Sequence, residues 1–235
     1  MKKSIVLFFS IFTALSAAQN NALEYYNSAI LNEALKDYHS ALNDLDNAIQ
    51  INMSYDSAYC LSGIINYKLE DYSTAIKQLD KTIKINPNYF EAFYFRGISK
   101  AQLKQYPSAI KDFNKALAIH PNNAKTYYNM ALTKGYLNDY SSAIKDLDKA
   151  IRIDTNYISA YYSRAYLEDI SGEYKDAVND YKKVIAMDGT YREAYIGLAT
   201  MMYQNGEKTK ACEVFKLAAE KGSIMAEELI NKICN

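Results

Sequence analysis

The chain has 235 residues, 49% of them hydrophobic and 23% charged, a balance that suits a folded protein with a continuous apolar core. Its 27 basic and 27 acidic side chains give a formal charge of zero, so the net positive field that accompanies nucleic-acid binding is absent. Three prolines and eight glycines leave little sequence for long linkers.

The N-terminus reads Met1-Lys2-Lys3, continues as an uncharged apolar run from Ile5 to Ala18, and ends that run on Ser16, Ala17 and Ala18. A basic start, a short apolar core and small residues form the pattern of a secretory signal peptide. Residues 1–18 are assigned to it, with cleavage after Ala18 and residues 19–21 as a short linker. The run falls short of the roughly 20 apolar residues that span a bilayer, and no cysteine follows it that could be lipidated. The mature chain is therefore expected outside the cytoplasm, periplasmic or secreted, without stable membrane insertion.

Beyond the linker one pattern recurs. Tyr38, Tyr72, Tyr106, Tyr140 and Tyr174 are spaced by 34 residues, and three positions after each comes Ala41, Ala75, Ala109, Ala143 and Ala177. A sixth copy keeps Ala211 and puts Lys208 in place of the tyrosine. A fixed period without insertions marks a solenoid, in which each copy buries its apolar face by stacking on its neighbours. With the tyrosine at the seventeenth position, the repeats are 22–55, 56–89, 90–123, 124–157, 158–191 and 192–225.

Each repeat reads as two helices. In the fourth, a helix from Ala124 to about Leu137 carries Tyr127, Tyr128, Met130 and Ala131. A second, from about Ser141 to Ile153, lines up Ala143, Ile144, Leu147, Ala150 and Ile151 on one amphipathic stripe. Asn138-Asp139 and Asp154-Thr155-Asn156 supply the turns, and Pro87 and Pro121 stand just past their second helices, where proline stops a helix. After Gly206 the pattern changes. A last helix from about Ile224 to Ile233 sets Met225, Leu229, Ile230 and Ile233 against Glu227, Glu228, Asn231 and Lys232, which suits a cap with one polar face over the end of the array, residues 226–235 completing it.

These residues resemble the tetratricopeptide repeat family. The family has an aromatic residue at position 4, met here by Tyr25, Tyr59, Phe93, Tyr127, Tyr161 and Tyr195. Its small position 8 is Ala29, Gly63, Gly97, Ala131, Ala165 and Ala199, and its large apolar position 24 is Leu45, Leu79, Phe113, Leu147, Tyr181 and Phe215. The resemblance implies an all-α fold, a right-handed α-solenoid of six stacked helix-turn-helix units with a C-terminal capping helix. The ending from Gly206 also resembles tetratricopeptide proteins of Bacteroidetes-type bacteria. Position 11 departs from the family: it is Asn32, Asn66, Lys100, Lys134 and Glu168, with Met202 alone apolar.

Arg96 and Arg164 sit at position 7, and Asp112 and Asp180 at position 23 of the same repeats. An antiparallel helix pair brings these levels together, which predicts the ion pairs Arg96–Asp112 and Arg164–Asp180; the alternative is that each charge is solvated. Other carboxylates, such as Asp146, Asp148 and Asp80, fall on second-helix faces with i,i+4 partners at Arg152 and Lys84, an arrangement that reads as a solvated face.

Cys212 lies on the second helix of the last repeat and Cys234 on the capping helix. In an oxidising compartment a disulfide between them fastens the cap, contributing about 3 kcal/mol; the alternative is two buried thiols. Cys60 occupies position 5, which faces the groove in the family, and reads either as an exposed thiol or as a small apolar filler. His39 and His120 fall near helix ends with no motif around them. The sequence holds no zinc spacing, phosphate loop, nucleophile elbow or calcium loop, so neither an enzyme nor a cofactor is expected.

In the family, positions 2, 5, 9 and 12 of the first helices line a concave groove that meets a peptide. The resemblance places Tyr26, Tyr94, Tyr128 and Tyr162 at position 5 and Leu132 and Tyr166 at position 9. Tyrosine suits recognition surfaces because it offers area and a polar tip with little side-chain entropy to lose; equally, neighbouring helices can bury it. The family's clamp for C-terminal carboxylates needs Lys at position 5 and Asn at position 9, and no repeat has that pair. Two functions follow: a scaffold for a protein or peptide partner, or a module whose tyrosines stack on sugar rings of an envelope polysaccharide.

Overall fold

The computed structural model describes residues 21–234. The expected signal peptide and residues 19–20 of the linker lie outside them. Among the described residues all regular structure is helical, and they fall into two compact units, one up to Pro121 and one from Asn122. In the first, α1 (21–34) is followed by α2 (Tyr38–Ile51), α3 (Asp56–Lys68), α4 (Tyr72–Ile85), α5 (Phe90–Gln102) and α6 (Tyr106–Ile119). The second holds α7 (Ala124–Gly135), α8 (Tyr140–Ile153), α9 (Ile158–Ser171), α10 (Tyr174–Met187), α11 (Arg192–Gln204), α12 (Lys208–Glu220) and α13 (Ile224–Leu229), ending in a π-helical turn at Ile230–Cys234. Consecutive helices pack as hairpins, and within each unit the second helix of one hairpin also packs on the first helix of the next.

The packing explains the repeated residues. Ala41, Ala75, Ala109, Ala143, Ala177 and Ala211 are fully buried, as are the large residues of position 24 from Leu45 to Phe215. Position 8 is small because that large side chain presses on it: a Cβ added to Gly97 would stand 2.8 Å from the Phe113 ring. Each buried leucine or phenylalanine contributes about 1.5–3 kcal/mol.

The hairpin turn is fixed by one position. Lys36, Glu70, Lys104, Asn138, Gly172 and Gly206 all have positive φ, between 59° and 84°, the left-handed conformation that ends a helix tightly. The second helix then starts on a capping acid in three repeats, where Asp37, Asp71 and Asp139 accept from the backbone N–H of Ser40, Thr74 and Ser142. At the far end Asn52, Asn86, Asp154 and Asp188 each accept a backbone N–H two residues on, an Asx turn that leads into the next repeat.

Both expected arginine pairs form, and each arginine does more. The Arg96 guanidinium donates to Asp112 at 2.8 and 2.6 Å and, from Nη1, to Asp80 of the preceding second helix at 2.6 Å. Arg164 repeats this with Asp180 at 2.6 and 2.9 Å and with Asp148 at 2.6 Å. Asp80 and Asp148 therefore serve the next hairpin rather than Lys84 and Arg152. Asp146, expected on a solvated face, is buried and paired with Lys134 at 2.5 Å.

That pair accounts for the polar position 11. It faces position 23 across the hairpin, so Asn32 donates to Asp44 at 2.9 Å and Lys100 to Asp112 at 2.8 Å. Asn66 instead donates to the Ser62 carbonyl at 2.8 Å. In the last repeat both partners change, and Met202 and Val214 pack among the apolar residues of the same clusters.

Candidate functional site

The position-5 tyrosines are half-buried rather than free. Each meets an aromatic residue of its own repeat: Tyr26 with Tyr55, Tyr128 with Tyr157 and Tyr162 with Tyr191, all with ring centroids 5.0 Å apart. In the third repeat, where position 34 is Asn123, Tyr94 stacks on Phe90 at 5.8 Å and meets Phe95 edge-on at 5.1 Å. Burial raises the phenol pKa of Tyr26 and Tyr162, as expected for rings held in an apolar wall. Cys60 takes the same position in repeat 2 and is 2% exposed. Burial pushes its thiol up to about 12, so it is the apolar filler and not a surface thiol.

In the second unit the first helices enclose two adjoining concavities. One, of about 490 Å³, lies between α9, α11 and the start of α13, lined by Tyr162, Tyr166, Asp169, Ile196, Thr200 and Met225 among others. The other, of about 370 Å³, lies between α7 and α9, with Leu132, Tyr136, Tyr162, Tyr166, Leu167 and Ile170 in its wall. Tyr162 and Tyr166 line both, so the two adjoin across α9 and together make up the candidate cleft. Tyr166 is 52% exposed and Tyr136 70% exposed.

Of the residues expected in a groove, the structure thus brings Leu132, Tyr162 and Tyr166 together. Tyr128 does not line either concavity and packs on Tyr157, and Tyr26 and Tyr94 belong to the other unit. The cleft also uses residues that single-position reasoning passes over. Gly222 to Met225 close its end from the cap, and there Arg192 Nη1 donates to the Gly222 carbonyl at 3.1 Å. Asp169 and Glu193 add acidic groups, and burial raises the Asp169 carboxyl above the usual range. Asp169 and Glu193 fall at positions 12 and 2, so the repeat register was a signal for them; no such signal marks the cap residues.

Cys212 and Cys234 are joined, with their Cα atoms 5.8 Å apart. The bond ties the π-helical turn to α12, where Leu229, Ile230 and Ile233 cover Phe215. Among the described residues no cluster of three or more His, Cys, Asp or Glu side chains could hold a metal ion, and no described helix is long and apolar enough to cross a membrane.

Family profiles described as tetratricopeptide or TPR repeats match residues 56–89, 97–135, 124–157 and 162–223. The chain belongs to the tetratricopeptide repeat family. A comparison with curated proteins gives no match. Among solved structures, this tetratricopeptide protein is similar to MamA, at 26% identity and a TM-score of 0.66 over 70% of this chain and 96% of that one. It is also similar to PilF of Pseudomonas aeruginosa, at 15% identity and a TM-score of 0.76 over 93% and 99% of the two chains. YrrB, described as a TPR protein with an unusual peptide-binding site, matches at 18% identity and a TM-score of 0.66 over 78% and 94%. The last two likenesses show the fold alone.

Proposed function

We propose that this tetratricopeptide protein is a non-catalytic scaffold outside the cytoplasm, and that it holds an extended segment of a partner protein in the cleft of its second unit. The observation that carries the reading is the sharing of Tyr162 and Tyr166 by two adjoining concavities: hollows set side by side across successive first helices suit an extended chain better than a compact small molecule. The family's architecture suits protein or peptide binding, and YrrB, of the same fold, has a peptide-binding site. The extracytoplasmic part rests on the basic-then-apolar start of the sequence and is supported by a disulfide, a bond that persists in oxidising compartments. The envelope type of Bacteroidetes-like bacteria is part of the same proposal and rests on the ending from Gly206.

The exposure of Tyr136 and Tyr166 in one concavity also favours a second reading, in which these rings stack on sugars of an envelope polysaccharide. One experiment separates the two. Partners are captured from envelope extract on the wild type and on a Tyr162→Ala, Tyr166→Ala variant, a synthetic peptide from any captured protein is titrated against both, and both are applied to a glycan array. A peptide that binds the wild type and loses at least tenfold in affinity on the variant supports the scaffold. Glycan binding that the variant loses, with no peptide bound, replaces it with the second reading.

A further inference from the structure

In repeats 3 and 4 a lysine of the first helix meets an aspartate of the second, Lys100 with Asp112 at 2.8 Å and Lys134 with Asp146 at 2.5 Å. Repeat 5 holds Glu168 and Asp180 at the same two positions, so a carboxyl group replaces the cation. Glu168 is 6% exposed, and its Oε2 has no hydrogen-bond partner. Arg164, one turn earlier on α9, has its Nε 3.8 Å from Glu168. That guanidinium is already committed, donating from Nε and Nη2 to Asp180 and from Nη1 to Asp148.

The other charged groups acting on Glu168 are acidic: Asp180 and Asp176 of α10, and Glu173 of the turn between the helices. From α8, Asp148 reaches the cluster through Arg164. On α7 the residue of the same repeat position, Lys134, is held by Asp146; on α11 it is Met202. A buried carboxylate whose one nearby cation is already shared by two other carboxylates is far less stable than its neutral acid. Burial first, and Asp180 second, push the Glu168 carboxyl up to about 8 against the opposing pull of Arg164.

We propose that Glu168 makes repeat 5 a pH-sensitive joint: protonated, it lies in the α9–α10 seam as a neutral acid, and ionised, it is driven towards solvent, loosening the hairpin at its Gly172 end. The sign follows from proton counting. An unfolded glutamate releases its proton near about 4.3 and the folded one near about 8. Between these values the folded chain holds a proton that the unfolded chain does not, so stability falls as pH rises through the window and levels off above it. Because α9 also carries Tyr162 and Tyr166, the joint lies behind one wall of the cleft, yet the inference stands whatever the cleft binds.

The test is a series of urea midpoints for the full chain between about pH 5 and pH 9, on the wild type and Glu168→Gln, with carbon-13 NMR of the Glu168 carboxyl in the wild type. The midpoint of the wild type should fall across the range, the variant should lack that fall, and the gap between them should widen with pH. In the spectra Glu168 should titrate well above the exposed glutamates. Parallel midpoint profiles, or a Glu168 carboxyl that titrates with the exposed glutamates, overturn the proposal. If Glu168→Gln does not fold, the wild-type titration decides alone.

Discussion

At the scale of single residues, Arg96 and Arg164 show how much one guanidinium can organise. Each grips an aspartate of its own hairpin with two donors and one of the preceding hairpin with a third, a use of the planar fork that lysine cannot reproduce. Replacing Asp112 by alanine leaves Arg96 and Lys100 without their shared acceptor and should cost about 3 kcal/mol in urea denaturation. A double-mutant cycle with Arg96→Met and Asp112→Leu should return a coupling of about 1–3 kcal/mol. Cys60 makes a different prediction. Because burial holds its thiol protonated, with a pKa of about 12, a thiol reagent at neutral pH should leave it unlabelled in the folded chain and label it promptly in urea. The turn position gives a third: Lys36→Gly, Glu70→Gly and Lys104→Gly should each stabilise by about 0.5–1 kcal/mol, since glycine adopts positive φ without strain.

At the scale of helices and hairpins, the residues that recur every 34 positions could be read from the sequence as packing. Alanine and leucine at fixed offsets on one helix announce a buried stripe without reference to any other helix, and so the second helices were legible. What stayed hidden depends on two helices at once. Position 11 looks like a departure when read along its own helix; only opposite Asp44, Asp112 or Asp146 does its polarity make sense. The six copies carried a trace of this, since the one apolar residue there, Met202, is opposite the one apolar partner, Val214. The tyrosine groove was hidden for a related reason. Position 5 alone does not reveal that position 34 supplies a second ring, which turns Tyr26, Tyr128 and Tyr162 from free contacts into half-buried pairs. The cap is held covalently, and breaking the Cys212–Cys234 bond by serine substitution should cost about 3 kcal/mol, measured against the wild type in urea under non-reducing conditions.

At the scale of the whole molecule, a repeat array draws its stability from each hairpin and from the faces between neighbours. Deleting the chain from Gly222 onward removes Leu229, Ile230 and Ile233 from Phe215 and the end wall from the cleft. Hydrogen exchange should then speed up first in α11 and α12, before α7 to α10. Repeats that share their packing residues carry a hazard that ordinary folds avoid, because a first helix could close on the second helix of the wrong copy with its small and large apolar residues still in register. The polar seam discourages that error. Asn32 with Asp44, Lys134 with Asp146 and Met202 with Val214 are different matched pairs, so a first helix that closes a repeat or two away sets methionine against aspartate or lysine against valine. Where these pairs differ, a hairpin carries an address, written in the residues that looked least like the family.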